Sequence, residues 1–150
     1  MSSGIRIDKD GVWYYNDAEM IRKDIVVLFS QNLTHDESGK YLIELNEEKC
    51  YVEVEDTPFV IKKLSLTKNH EEDSLSVFLS DESIEELDLN SLRISEANIL
   101  YCTVKNNRFN ARFSRAAYYQ LAEFIEHDPD SGMFFVALNG RSYPIGDMRT

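Results

Sequence analysis

The stretch 21-IRKDIVVLFSQNLTHDESGKYLIELN-46 decides the fold, because ninety-three positions later the chain answers it with 114-SRAAYYQLAEFIEHDPDSGMFFVALN-139. Arg22 meets Arg115, Leu28 meets Leu121, Ser38-Gly39 meets Ser131-Gly132, and Leu45-Asn46 meets Leu138-Asn139. In the first copy Ile25, Leu28, Phe29 and Leu33 recur at helical spacing and predict a helix over 22–33. That helix closes in an acidic turn where Gly39 can take a positive φ. Tyr41–Leu45 and Cys50–Val54 then read as a hairpin with one wet face, since Glu53 and Glu55 alternate with Val52 and Val54. In the second copy Ser114 is a good N-cap, and Tyr118, Leu121, Ala122 and Ile125 predict a helix over 115–126. Met133–Leu138 and Arg141–Ile145 follow as strands about Asn139-Gly140, the strongest short hairpin signal in the chain. Duplication of one helix-plus-hairpin unit is the reading we carry forward. It places an interface between two halves, a common location for ligand sites.

Outward from these units, Gly11–Tyr15 reads as a strand, Asn16-Asp17 as a turn, and 18–21 as a second short strand. Pro58 breaks the register before a strand over 59–66, and 75–79, 92–94, 98–104 and 109–113 continue as strands. The acidic segment 84–89 fits either a short strand or a single helical turn. The expected fold class is α+β, with duplicated helix-plus-hairpin units and antiparallel sheets. The expected division is an N-terminal α+β half over 1–62 and a strand-rich C-terminal half with one helix over 63–150.

The chain has 150 residues, with 27 acidic against 16 basic side chains and a net charge of −11. A 43% hydrophobic fraction that includes 8 Tyr, 8 Phe and 1 Trp can build a core, so disorder is not the expectation. The acidic balance argues against a non-specific nucleic-acid or anionic-membrane binder. It is unevenly spread: residues 1–96 carry 10 basic and 22 acidic side chains, residues 97–150 carry 6 and 5. No signal peptide is readable, and no apolar window approaches the roughly 20 residues that span a bilayer. Cys50 and Cys102 share no metal-like or redox spacing and read as small buried hydrophobes of a reduced, cytoplasmic protein.

Several motifs together resemble a bacterial family. They are Gly11-Val-Trp-Tyr-Tyr15, Ile21-Arg22 leading into Val26-Val27-Leu28-Phe29, Val54-Glu55-Asp56-Thr57-Pro58-Phe59, Ser114-Arg115-Ala116-Ala117-Tyr118-Tyr119, and Tyr143-Pro144-Ile145-Gly146. The chain is similar to domain-of-unknown-function family 1285 from about Ile5 to Gly146. The resemblance implies a duplicated α+β core with a C-terminal half like a pleckstrin-homology barrel. It also implies a binding site where the halves meet and a link to signal transduction, with no established activity. Ile21 departs from the family's Ser or Thr and cannot cap a helix through its side chain.

Arg22 and Arg115 each stand at a helix start, where a cation works against the dipole and is free to serve an anion. Ion pairing with Glu55 or Asp56 is the plainer role for both arginines. Arg22, Glu55, Asp56, Arg115 and Tyr119 are the expected wall of a site for a small anionic ligand or a protein partner. The competing expectation is nucleic-acid binding through Lys105, Arg108 and Arg112, which lie in a run without acids and interleaved with aromatics. His35 and His127 follow helix ends with no third ligand at metal spacing, so neither a metal nor a cofactor is expected. No nucleophile, P-loop or dinucleotide motif is present, and a non-enzymatic module is the expectation.

Overall fold

The computed structural model describes residues 2–147. Its first half is a six-stranded sheet built from β1 (Ser2–Ile7), β2 (Trp13–Tyr15), β3 (Ala18–Glu19), β4 (Leu33–His35), β5 (Tyr41–Leu45) and β6 (Glu48–Val54), with α1 (Lys23–Gln31) between β3 and β4. The spatial order is β3-β2-β1-β6-β5-β4, antiparallel except where β1 runs parallel to β6. Two hairpin turns, at Asn16-Asp17 and Asn46-Glu47, hold both central residues at positive φ. That primed geometry matches the strand twist and explains the asparagines. Ile5, Ile7, Trp13, Leu33, Ile43 and Val52 point into the core.

The second half is a seven-stranded sheet and a three-stranded one. The larger comprises β7 (Phe59–Thr67), β8 (Ser74–Leu79), β9 (Ile84–Glu86), β10 (Arg93–Ile94), β11 (Leu100–Val104), β12 (Phe109–Phe113) and, far along the chain, β16 (Gly146–Asp147). Its order is β16-β10-β11-β12-β7-β8-β9, with β7 parallel to β12 and β10 parallel to β16. The sheet is open, with β16 and β9 as edges. The chain then forms α2 (Arg115–Ala122) and the meander β13 (Ile125–His127), β14 (Phe134–Leu138) and β15 (Arg141–Pro144). Asn139-Gly140, both at positive φ, make the expected hairpin turn. The Asn139 side chain also accepts the Asp73 N–H at 2.8 Å and donates to the Asp73 carbonyl at 2.8 Å.

The α+β class holds, with two helices and sheets in which antiparallel pairs dominate. The three parallel pairings were not expected, and β7 with β12 is the one that organises the site below. Both helices are shorter than their apolar spacing predicts, for one reason. Leu33 and Ile125, one turn past each helix, leave the helical course and pair in extended backbone with Ile43 and Val136. The Asn32 side chain donates to the Leu28 carbonyl at 2.8 Å and stops α1 before that step. Within segment 84–89 the strand alternative holds for Ile84–Glu86, and a one-turn 3-10 helix follows at Leu89–Ser91. Strand β1 has no counterpart in the sequence reading. The expected boundary at 62/63 lies inside β7, its outer limits at 1 and 150 fall outside the described residues, and the chain changes sheets between Val54 and Phe59.

Gly11, at φ +83, sits where the β1–β2 turn presses on the large sheet, and an added Cβ would meet Val60 Cγ2 at 2.9 Å. Gly11→Ala combines left-handed strain with that clash and should cost about 1–3 kcal/mol in urea unfolding. Acid sensitivity has a local source at Asp36. Its carboxylate accepts the Ser38 hydroxyl at 2.7 Å, the N–H groups of Ser38 and Lys40, and the Tyr51 hydroxyl. These bonds, led by Ser38, lower its pKa from 3.8 to about 2. A lowered carboxyl stabilises the fold fully above its unfolded value and loses that contribution as pH falls through the folded one. Wild type should therefore exceed Asp36→Asn in urea midpoint at pH 6, with the gap closing between pH 4 and pH 2.

Candidate functional site

Where the chain passes from the six-stranded to the seven-stranded sheet, Thr57 is buried and its hydroxyl works twice. It donates to the Phe59 carbonyl at 2.7 Å and accepts the Arg112 N–H at 3.1 Å. This aligns β7 with β12, so that Ala111, Arg112 and Phe113 stand beside Phe59, Val60 and Ile61. Beside Thr57, Asp56 accepts Arg112 Nη1 at 3.0 Å and the Tyr101 hydroxyl at 2.8 Å. Burial first, then this bond to Asp56, pushes the Tyr101 pKa up.

Strand β12 runs directly into α2 through Ser114, whose hydroxyl accepts the Ala117 N–H at 3.2 Å as the expected cap. Helix α2 is pinned to β7 at two points. Ser114 donates its N–H to the Ile61 carbonyl at 2.9 Å, and Gln120 accepts the Leu64 N–H at 2.7 Å. Ala117 and Leu121, one turn apart, are fully buried on the face toward the sheet. The opposite side carries Arg115, Tyr118 and Tyr119. The Tyr118 hydroxyl donates to Asn98 Oδ1 at 3.2 Å, tying the β10–β11 turn to the helix.

A cavity of about 470 Å³ opens between these parts. Lys9 and Asp10 reach it from the β1–β2 turn, Val60 and Lys62 from β7, 97–100 from the β10–β11 turn and the start of β11, and 112–115, Tyr118 and Tyr119 from the strand and helix. Four cations, Lys9, Lys62, Arg112 and Arg115, thus line it against one carboxylate, Asp10. The β1–β2 turn is rigid: Asp8 accepts the N–H groups of Asp10 and Val12 and the Tyr14 hydroxyl. Lys62 Nζ donates to the Asp10 carbonyl at 3.2 Å, which holds that turn over the cavity. Among the described residues Lys9 and Arg115 form no ion pair with a carboxylate, and Arg115 only donates to the Tyr119 hydroxyl at 3.4 Å.

The structure divides the expected residues. Arg115 and Tyr119 line the cavity together, and Asp56 reaches it through Arg112. Glu55 is exposed at the sheet crossing, where its N–H donates to the Ile7 carbonyl. Arg22 is the N-cap of α1, and its side chain pairs with Asp24 at 2.7 Å rather than lining the cavity. The pairing anticipated for Asp56 goes to Arg112 instead, because register with β7 brings that strand residue and no helix residue beside it. Lys9 and Lys62 were missed as site residues; the Lys62-Lys63 pair at a strand bulge was the available signal. Of the basic run, Lys105 is committed elsewhere: its Nζ donates to Asp81 at 2.7 Å and to Ser83 at 2.9 Å. Arg108 lies over Phe109 and donates to Thr34 at 3.4 Å. Cys102 is fully buried, and desolvation pushes its thiol up to about 12, while Cys50 is half-buried. Among the described residues there is no cluster that could hold a metal ion, and no helix long and apolar enough to cross a membrane.

Asp81 is almost wholly buried. Burial works to raise its pKa, but hydrogen bonds from Lys105 and Ser83 outweigh it and hold the carboxyl below the usual range. Lys105→Met leaves a buried carboxylate without its cation and should cost about 3 kcal/mol in urea unfolding at pH 7. The deficit should shrink in Lys105→Met/Asp81→Asn.

Residues 1–57 match the family model for the N-terminal domain of DUF1285, a domain of unknown function. A DUF1285 family protein from Silicibacter pomeroyi DSS-3 shares the fold with a TM-score of 0.79 and 23% identity, over 98% of this chain and 81% of that one. A second, from Shewanella baltica OS155, matches with a TM-score of 0.66 and 22% identity, over 81% of this chain and 91% of the other. No curated protein matches the sequence. The sequence likeness to the DUF1285 model is confined to residues 1–57, and the likeness across the rest of the chain is one of fold.

Proposed function

We propose that the protein is a non-enzymatic binding module that takes a small anionic ligand in the cavity between its two halves. One observation carries this: four cations converge on a 470 Å³ cavity against a single carboxylate, in a chain whose net charge is −11. Three of the four, Lys9, Lys62 and Arg115, form no ion pair with a carboxylate among the described residues, so their charge is available to a guest. The first turn of α2 adds the positive end of a helix at the same place. A guest would touch Lys9 and Asp10 from the N-terminal half and Arg115 and Tyr119 from the C-terminal half. Occupancy would therefore tighten one half on the other, a change suited to a signalling role in the cytoplasm.

We also read the halves as copies of one ancestral unit. Helix, short strand and hairpin follow in the same order in α1–β4–β5–β6 and α2–β13–β14–β15, which supports the 93-position sequence repeat. The likeness of the C-terminal half to a pleckstrin-homology barrel adds nothing to the functional reading, since its large sheet is open. The alternative of nucleic-acid binding through Lys105, Arg108 and Arg112 has less behind it, because Lys105 is paired with Asp81 and Arg108 lies over Phe109 away from the cavity that Arg112 lines.

A thermal-shift series with phosphate, sulfate and citrate at low ionic strength tests the site. Wild type and Arg22→Ala should gain melting temperature with at least one anion, and Arg115→Ala and Lys9→Ala should lose most of that gain. Added salt should weaken it throughout. An undiminished rise in Arg115→Ala, or no rise in wild type, removes the proposal.

A further inference from the structure

The same cavity, on the proposal above, has a lining too varied for an anion alone. Beside its cations stand three hydroxyls (Ser114, Tyr118, Tyr119), two of them on tyrosine rings in edge-to-face contact at 6.1 Å. Tyr119 is 60% exposed, which leaves ring surface uncovered beside Arg115. Asp10 remains as an acceptor in an otherwise cationic wall, on a turn that its neighbour Asp8 makes rigid. We infer that the cavity binds a phosphate monoester whose organic part carries hydroxyl groups and a flat aromatic ring, the chemistry of a nucleoside monophosphate.

Each part of that ligand answers a part of the wall. A monoester near neutral pH carries about −1.5 to −2 charges and three acceptor oxygens, which suits convergent cations better than a monocarboxylate with one charge and two oxygens. Guanidinium groups grip such a group through paired N–H bonds, and Arg112 spends only one nitrogen on Asp56. A carboxylate set among cations repels a polycarboxylate and accepts from hydroxyls, so Asp10 favours a sugar over a second acidic group. Tyrosine faces stack flat rings regardless of sequence, with guanidinium beside them as a further partner. The volume falls within the range of small-molecule sites.

Calorimetry at low ionic strength with four probes separates these parts: inorganic phosphate, ribose 5-phosphate, adenosine 5′-monophosphate and citrate. Adenosine monophosphate should bind about tenfold more tightly than ribose 5-phosphate, the step that one stacked base supplies. Tyr119→Leu should abolish that step, so that adenosine monophosphate and ribose 5-phosphate bind alike. Asp10→Asn should weaken ribose 5-phosphate relative to inorganic phosphate, and Arg115→Ala should weaken every phosphate. Equal affinity for adenosine monophosphate and ribose 5-phosphate, or citrate binding above all phosphates, overturns this inference and leaves the anion site standing. A single-stranded oligonucleotide binding more tightly than the monophosphate also overturns it, in favour of a nucleic-acid surface. No binding of any of the four overturns both readings.

Discussion

The Thr57 hydroxyl is the hinge of the architecture. It sits where the chain leaves one sheet for the other, and it closes two backbone valences at once, the Phe59 carbonyl and the Arg112 N–H. A buried polar group is tolerated when its hydrogen bonds are made. The local bond to Phe59 satisfies the hydroxyl as a donor, and the parallel register of β12 on β7 brings the Arg112 N–H to it as an acceptor. Everything downstream inherits that register. Arg112 is brought beside Asp56, Phe113 beside Ile61, and the next residues, Ser114 and Arg115, are delivered as the start of α2 beside Lys62. One wall of the cavity is thus a consequence of strand pairing, and the β1–β2 and β10–β11 turns close the others.

That pairing also explains how two sheets that share no edge come to share a surface. The contribution of the first sheet is a turn, Asp8–Gly11, stiffened by the Asp8 carboxylate and brought against Val60 by the absence of a Cβ at Gly11. Lys62 reaches back to the Asp10 carbonyl and completes the contact. A second tie joins β7–β8 to the late hairpin, where Arg141 pairs with Glu72 at 3.0 Å and Asn139 brackets Asp73. Surface pairs such as Arg141 with Glu72 contribute little by themselves. Together with the bracketed backbone they fix which turns face each other.

Local signals in the sequence were reliable where the physics is local. Asn139-Gly140 needs positive φ at both centres, and only a primed turn offers it, so that hairpin was legible from two residues. Ser114 was legible as a cap for the same reason, its hydroxyl closing on a group three residues away. Helix lengths were not, because Leu33 and Ile125 satisfy a helical period and a strand pairing equally well, and only the partners Ile43 and Val136 choose between them. Strand β1 was missed although the turn at Asp8–Gly11 joins it to β2, and its parallel partner β6 begins some forty residues later. The candidate site divided along the same line. Arg115 and Tyr119 belong to one helix and were found together, whereas Lys62 and Arg112 are neighbours only through the parallel register, and Lys9 joins them through the packing of its turn on β7.

Five of the 27 acidic residues have a structural role in turns. Asp8, Asp36, Asp81, Asp88 and Asp128 each accept the backbone N–H of the residue two positions on, the bond that closes a tight turn. A fold of many short strands needs many such turns, and aspartate supplies them at one negative charge apiece. At physiological salt these charges are screened beyond about 8 Å, so the turns do not set the potential at a distant surface. What a guest meets in the cavity is set by the side chains that line it, and there cations outnumber carboxylates four to one. Those aspartates serve the turns, and the parallel strand pair with the turn packed on it decides which charges meet.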